Sequence, residues 1–238
     1  MSNDQINIYL QETPMLNYSC KTIQDIVTSH SWQSLSTYDQ IKEIYSYVQN
    51  DIIFGYNHSD TLTAEEVIQD GYGQCNTKAT LLMALLRSVG IPCRLHGLEV
   101  SKQFQRGATN AIISFFAPST IVHTWAEVFY QQKWIALEGV ITDKKYFESV
   151  KAQYPNEHLF QKYAIATEDL TNLSIDWQGT DTFVQSTAVV KDYGTFPSPD
   201  EFFSQHSQHW SSFKNWMYVH VGTKMMNDNV FRMRSQLR

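Results

Sequence analysis

The sequence predicts an α+β protein, and three observations carry this prediction. A strongly apolar helix begins near Cys75, with the composition of a helix that is buried on all sides. Segments with strand periodicity follow it, and two of them form an antiparallel pair. Helices come before and after the strands and do not alternate with them, which is typical of α+β folds. We therefore expect a buried helix packed on an antiparallel sheet, with a helical C-terminal extension.

Composition and charge limit the classes of protein to which this chain can belong. Of the 238 residues, 42% are hydrophobic and 13% are aromatic, which is enough material for a sizeable core. The formal net charge of −6 excludes a general electrostatic attraction to nucleic acid. Residues 1–10 lack the basic and apolar segments of a secretory signal, and no stretch reaches the length of a membrane span. The three cysteines are too few for a disulfide framework, so we expect a cytoplasmic protein without membrane insertion.

The chain divides into three predicted segments. Residues 1–35 carry weak signals and form a lead-in segment. Residues 36–155 form the predicted core domain, and residues 156–238 form a C-terminal extension that packs on it. The extension is rich in large apolar side chains that need burial, and its helices could also pair two copies of the chain as a homodimer; the aromatic members are Phe202, Phe203, Trp210, Phe213 and Trp216.

Helix-start signals are clear at four places. Apolar residues on one face follow a Ser36 cap, and Thr63 with Glu66 forms a capping box for a helix over residues 64–69. Asp143 caps a helix that runs to about Gln153. Another helix begins at Ser198-Pro199-Asp200-Glu201, where an N-cap residue precedes a proline at the first helical position.

The strand prediction covers five segments. Two come directly after the apolar helix, at Cys93–Val100 and, with a weaker pattern, at Ala111–Phe116. Val122–Tyr130 and Trp134–Val140 form a hairpin around residues 131–133. A further strand is predicted at Thr182–Val190.

Cys75 lies on the first turn of the apolar helix, just after a loop with two glycines, Gly71 and Gly73. A helix N-terminus carries partial positive charge and unpaired N–H groups, which stabilise a thiolate. Cys75 is therefore a candidate nucleophile. The alternative is a cysteine that only packs, since free cysteines are often buried.

His123 and Glu138 are the candidate partners of the thiol. Strand alternation places His123, Trp125 and Glu127 on one face. If the hairpin loop is centred between residues 131 and 132, Glu138 pairs with Trp125 and is the diagonal neighbour of His123, at roughly 7–8 Å between Cβ atoms. If the loop had an odd number of residues, Glu138 would lie on the opposite face of the sheet from His123. Taken alone, His123 is better explained as an ordinary sheet histidine and Glu138 as a solvated carboxylate. Together with Cys75, the three residues favour a single catalytic constellation.

Four sequence motifs resemble the transglutaminase-like superfamily of papain-like cysteine enzymes. They are Gly-x-Cys at Gly73–Cys75, the helix end and Gly-Ile-Pro-x-Arg at Leu85–Arg94, His-x-Trp-x-Glu-Val at His123–Val128, and Trp-Ile-x-Leu-acid at Trp134–Glu138. The resemblance covers about residues 36–145. It implies a papain-like fold, a nucleophilic Cys75, a base at His123 and an orienting acid at position 138. Members of the superfamily usually have Asp at this third position, where this chain has Glu, and Asp143 is a fallback for the role.

The resemblance also implies an oxyanion site. The backbone N–H of Cys75 is the natural first donor. Tyr56 stands roughly where the superfamily supplies an aromatic donor, and Gln74 adjoins the cysteine. We rank both ahead of Gln69, which lies six residues before Cys75.

The expected function is acyl transfer from a thioester formed on Cys75, with a peptide, protein or small amide as substrate. Hydrolysis by a peptidase or amidase and transamidation are both open, since they differ in whether water or an amine attacks the acyl-enzyme. The alternative is a catalytically inactive binding or scaffold module of the same fold. We expect no cofactor and no metal, because His206, His209 and His220 lack an accompanying set of cysteines or carboxylates.

Overall fold

The computed structural model describes residues 6–108, 118–206 and 218–236. It confirms the α+β class. The helices are α1 (Lys21–Ser29), α2 (Thr37–Asn50), α3 (Ala64–Asp70), α4 (Cys75–Ser88), α5 (Lys144–Gln153), α6 (Pro199–Gln205) and α7 (Thr223–Arg234). The strands are β1 (Ile53–Phe54), β2 (Tyr72–Gly73), β3 (Cys93–Ser101), β4 (Thr120–Tyr130), β5 (Lys133–Ala136), β6 (Phe160–Lys162), β7 (Ile165–Thr167) and β8 (Val189–Phe196). None of the helices in the described ranges is long and apolar enough to cross a membrane.

Local signals explain where the helices begin. The Ser36 hydroxyl accepts a hydrogen bond from the Asp39 N–H at the start of α2, and Thr63 and Glu66 form the predicted capping box of α3. Helix α4 is buried along nearly its whole length, as its composition predicts. After α4, Gly90 has a φ of +79°, a conformation that glycine adopts without strain.

The main sheet has four antiparallel strands in the order β5-β4-β3-β8, and α4 packs against β4. The β4–β5 hairpin turns through Gln131 and Gln132, both with positive φ, so its loop has two residues. Glu127 pairs with Ala136, and continuing this register would place Trp125 opposite Glu138. The predicted loop centre is therefore confirmed.

Two strand predictions are wrong in extent. The strand predicted at Trp134–Val140 ends at Ala136, and Glu138–Ile141 forms a 3-10 helix. The segment predicted as a strand at Thr182–Val190 makes one parallel bridge, between Thr182 and Leu137, followed by a 3-10 helix at Ser186–Ala188. The strand itself begins later, at Val189, and pairs with β3. The cause is that backbone N–H groups at residues 184 and 185 bond to a side chain and are not available for a ladder.

The predicted strand at Ala111–Phe116 lies outside the described residues, as do Trp210, Phe213 and Trp216. Phe202 and Phe203 of α6 are buried, as expected. Phe202 packs so closely on β3 that a Cβ atom at Gly97 would lie 2.2 Å from its ring. Only glycine fits there, so α6 is seated directly on the main sheet.

Candidate active site

Cys75 is the first residue of α4, and its position depends on a tight approach of the preceding loop. A Cβ atom at Gly73 would lie 2.8 Å from the Thr77 Oγ1 atom and the Lys78 side chain. The Gln74 N–H donates to Thr77 Oγ1 over 3.1 Å, which ties the loop to the first helical turn. Cys75 is partly exposed and lines a cavity of about 400 Å³. The thiol is thus fixed at a helix N-terminus and open to a space that a ligand could enter.

Asn76 connects the start of α4 to the strand that carries His123. Its Nδ2 donates to the Val122 carbonyl over 3.3 Å, and its Oδ1 accepts from the Thr124 hydroxyl over 3.0 Å. Both partners are direct neighbours of His123 in the chain. These two bonds set the position of Cys75 relative to His123, and sequence reasoning missed them because asparagine after a helix start has no distinctive pattern.

The His123 ring is fully buried and joins Cys75 to Glu138. Its Nε2 lies 2.8 Å from Glu138 Oε1. Its Nδ1 makes no hydrogen bond among the described residues, and the Cys75 thiol is directed to Asn76 Oδ1 over 3.5 Å. Burial alone would lower the pKa of His123. The negative charge of a Cys75 thiolate, with the Glu138 hydrogen bond, outweighs burial and raises that pKa from 6.5 to about 10.

Glu138 is fully buried, and both of its carboxylate oxygens have hydrogen-bond partners. While Oε1 faces His123, Oε2 accepts from the backbone N–H groups of Val184 at 2.7 Å and Gln185 at 3.0 Å. The segment around Thr182 is in turn bonded to the end of β5 through the Ala136 carbonyl. These three contacts satisfy both oxygens of the buried carboxylate. The two backbone donors come from 46 and 47 residues further along the chain.

Two aromatic rings lie beside the histidine–glutamate pair. The Trp125 ring packs edge-on against His123 with centroids 5.9 Å apart, and Phe183 packs edge-on against Trp125 at 5.6 Å. Phe183 directly precedes Val184, so one segment supplies both the outer ring and the backbone donors. Apolar cover of this kind keeps water from competing for the His123–Glu138 hydrogen bond.

The three candidates for the second oxyanion donor have different surroundings. The Tyr56 hydroxyl is buried, lines the cavity and has no hydrogen-bond partner among the described residues. Burial, and next the negative charge of Cys75, raises the pKa of Tyr56, so the hydroxyl keeps its proton. The Gln74 side chain also lines the cavity, but it accepts from the Asn57 N–H and donates to Asp60. Gln69 is exposed on α3 and does not line the cavity.

Comparison with known proteins gives a family for this part of the chain. The model described as "Transglutaminase-like superfamily" matches residues 24–139. This confirms the resemblance that the four motifs indicate, and Cys75, His123 and Glu138 all lie within the matched range.

Among solved structures, the chain is similar to a protein from Cytophaga hutchinsonii called a "Putative Cysteine Protease". The two are 15% identical with a TM-score of 0.49, and the match covers 84% of this chain and 50% of that one. This chain therefore spans half the length of that protein. No curated protein matches the chain.

Asp143, the fallback acid, is directed to the terminal helix α7. Its carboxylate binds the Arg234 guanidinium of α7, with Oδ2 2.5 Å from Nη2, and it accepts from the N–H groups of Phe54 and Tyr146 at 2.9 Å each. No hydrogen bond joins the described Asp143 and His123 side chains, because the Asp143 oxygens are already directed to these groups. Asp143 therefore joins the terminal helix to the domain.

Proposed function

We propose that the protein is a thiol-dependent acyl-transfer enzyme in which Cys75 is the nucleophile, His123 the proton carrier and Glu138 the orienting acid. One observation carries this proposal: the buried His123 ring is bonded to Glu138 through Nε2, its Nδ1 has no partner among the described residues, and Cys75 lines the same cavity. A buried histidine with a raised pKa, aligned between a thiol and a carboxylate at a cavity wall, is the arrangement that nucleophilic catalysis requires.

The proposed reaction begins with proton transfer from the Cys75 thiol to His123 Nδ1. The thiolate sulfur attacks the carbonyl carbon of an amide, and the electron pair of the C=O bond moves onto the oxygen. When the tetrahedral intermediate collapses, the C–N bond breaks, and the leaving amine takes the proton from Nδ1. Water or a second amine then attacks the thioester, gives its proton to Nδ1, and releases the acyl group with Cys75 restored.

Two donors are placed for the oxyanion of this intermediate. The first N–H groups of a helix lack intrahelical partners, which makes the Cys75 N–H available at the start of α4. The Tyr56 hydroxyl lies at the cavity wall and has no partner in the part of the chain that the structure describes, which supports it as the second donor. Gln74 is the weaker candidate, since both ends of its amide have protein partners.

Glutamate in place of the usual aspartate fits the local backbone. Position 138 lies beyond the end of β5, in a 3-10 helix, so the carboxylate approaches His123 from outside the strand ladder. The longer side chain reaches His123 while its second oxygen reaches Val184 and Gln185. This supports an orienting role for Glu138 in a peptidase, an amidase or a transamidase.

The test is direct detection of an acyl-enzyme. Incubation with p-nitrophenyl acetate, followed by acid quenching and peptide mass mapping, should find the acetyl group on Cys75. Cys75→Ala and His123→Ala should abolish this modification, while Cys93→Ala is the matched control and should retain it, since Cys93 is fully buried and burial raises the pKa of its thiol. Acetylation of all four proteins at equal rates would contradict the proposal and favour a non-catalytic binding module.

A further inference from the structure

The cavity in front of Cys75 has an acidic side. The loop between β1 and α3 carries Asp60, which lines the cavity together with Gln74, Cys75 and Asn76. Asp60 is the only carboxylate among the described residues that line it, and no lysine or arginine is among them. His58 and His123 also line it, and the raised pKa of His123 favours the cationic form of its ring. Among the described lining residues, Asp60 is thus the one acidic side chain beside the Cys75–His123 pair.

The partners of Asp60 hold its position without neutralising its charge. Gln74 Nε2 donates to Asp60 Oδ1 over 3.0 Å, and the Asn57 N–H donates to the Oε1 of the same amide over 2.6 Å. Burial raises the pKa of Asp60, while hydrogen bonds from the amides of Asn76 and Gln74 act in the opposite direction. Among the ion pairs of the described residues, none involves Asp60. Asp60 is half-buried, and its hydrogen-bond donors among the described residues are neutral amides with no cation beside them. A carboxylate that is partly withdrawn from water is usually paired with a cation.

From this juxtaposition we propose that Asp60 binds a cationic amino group of the substrate. The inference rests on the proposed acyl-transfer function and specifies its substrate class: a molecule that carries a primary ammonium group close to the reacting carbonyl. The amides of Gln74 and Asn76 fix the carboxylate beside Cys75, and a substrate ammonium supplies the missing positive charge. An anionic group at the same place would meet an uncompensated negative charge, so acidic substrates are disfavoured.

Two sources of the ammonium share this chemistry. It is either part of the acyl donor, such as the amino terminus of a peptide, or it is the protonated form of the amine that attacks the thioester. Both would be guided to the cavity by the same carboxylate, since charged clefts raise the local concentration of ligands of opposite sign.

Charged thiol reagents test this inference without a known substrate. The probes are 2-aminoethyl, methyl and 2-sulfonatoethyl methanethiosulfonate, which are cationic, neutral and anionic, with modification of Cys75 followed by peptide mapping. In the wild type, the cationic reagent should react with Cys75 about tenfold faster than the anionic one after correction for their rates with free cysteine. In Asp60→Asn this ratio should fall to about one. Asp51→Asn, which removes the same charge from an exposed position outside the cavity, should keep the wild-type ratio.

Two outcomes of this experiment would overturn the inference, one in the wild type and one in the variants. Equal corrected rates for the three reagents, or a preference that Asp51→Asn removes as completely as Asp60→Asn, would contradict it. A true preference should also shrink as salt rises from 0.02 to 0.5 M, because salt screens interactions between charges that water reaches (a Debye length of about 10 Å at 0.1 M). Thiosulfonate exchange needs no acyl transfer, so this result is independent of whether p-nitrophenyl acetate yields an acyl-enzyme.

Two further assays distinguish the sources of the ammonium. If it belongs to the acyl donor, Asp60→Asn should slow acylation by the p-nitrophenyl ester of glycine more than acylation by p-nitrophenyl acetate. If it belongs to the attacking amine, the substitution should instead slow release of the acetyl group by ethylenediamine more than release by water. Either result supports the inference, and an unchanged ratio in both assays contradicts it.

Discussion

Glu138 and Asp143 are two buried carboxylates five positions apart, with nearly identical surroundings and different cations. Each accepts two backbone N–H hydrogen bonds: Glu138 from Val184 and Gln185, and Asp143 from Phe54 and Tyr146. Each also faces one cationic side chain. For Glu138 this is the His123 imidazole, and for Asp143 it is the Arg234 guanidinium.

The cation decides what each pair can do. A guanidinium keeps its charge at every accessible pH, so the Asp143–Arg234 pair can only hold α7 in place. Burial opposes ionisation of Asp143, but the hydrogen bonds and charge of Arg234 outweigh it and lower the pKa of Asp143. An imidazole can gain and lose a proton, and its second nitrogen is left for another group. The same carboxylate environment therefore produces a structural contact in one place and a candidate proton carrier in the other.

The largest expected effect comes from Glu138→Gln. The amide keeps the shape of the side chain but removes the charge that stabilises imidazolium and can hold the ring in the wrong tautomer. We expect the rate of Cys75 acetylation by p-nitrophenyl acetate to fall about 10²–10³-fold. The pH profile for Cys75 alkylation by iodoacetamide should also change, because the charge that stabilises the neighbouring imidazolium is lost.

The matched control is Asp143→Asn, the same chemical change in the other carboxylate. It should leave the pH profile of alkylation in place. If Glu138→Gln leaves this profile unchanged and Asp143→Asn shifts it, the orienting acid is Asp143. If neither substitution shifts it, the binding-module alternative is favoured.

The second prediction concerns stability. Asp143→Asn leaves the Arg234 charge buried without its counter-ion, which typically costs about 3–5 kcal/mol in the free energy of unfolding. Because the folded-state pKa of Asp143 is lowered, its stabilisation is present above the unfolded pKa of about 3.9 and is lost as pH falls through the folded value. Urea unfolding should therefore show a gap between wild type and variant at pH 7 that narrows towards pH 3.

An Arg234→Met variant tests the cause of that loss. It removes the buried cation together with its need for a partner, so Asp143→Asn in the Arg234→Met background should cost much less than in the wild type. Additive costs of the two substitutions would show that the ion pair is not the source of the effect.

Local sequence signals were enough to predict the elements that carry Cys75 and His123, but not the 3-10 helix that carries Glu138. The start of α4 follows from the glycines before Cys75 and the apolar run after it. The face of β4 that bears His123 follows from strand alternation, and the two-residue turn fixes the register that brings Glu138 to the same side. Each of these depends on residues close together in the chain, where spacing determines geometry.

The rest of the site depends on backbone contacts that do not require a particular type of residue. Any residue can supply the backbone N–H groups that Val184 and Gln185 donate to Glu138, so no pattern indicates them. Their use in this role also explains why the strand predicted at Thr182–Val190 is wrong. The sequence alone also left Asp143 open as an alternative to Glu138. The contact that engages Asp143 comes from Arg234, which lies 91 residues further along the chain.

A third prediction sharpens the role of Glu138 through Glu138→Asp. The shorter acid keeps the negative charge and matches the usual residue of the superfamily, but it cannot hold the same positions against both His123 and the two backbone donors. We expect a loss of about tenfold in Cys75 acetylation, clearly smaller than the loss in Glu138→Gln. Equal losses in the two variants would mean that length, and not charge, is what the site requires of this residue.

The smallest expected effect concerns Lys78, a buried cation of α4 near the Asp143–Arg234 pair. Its Nζ donates to the carbonyls of Gln49 and Ile141, and burial lowers its pKa to about 7, although the negative charge of Asp143 acts in the opposite direction. Between pH 7 and 10.5 the unfolded chain binds this proton and the folded chain does not, so wild-type stability from this group rises with pH.

Lys78→Met removes that dependence along with the two hydrogen bonds. The variant should be less stable than the wild type at pH 10, because the two carbonyls lose their donor, and the gap should narrow as the pH falls to 7. His123 also titrates, with stability lost as pH rises from 6.5 towards 10, but it contributes equally to both proteins and cancels in the difference. Melting temperatures measured at pH 7, 8, 9 and 10 decide the matter. A constant gap would show that Lys78 keeps its proton in the folded protein, and that Asp143 stabilises two buried cations and not one.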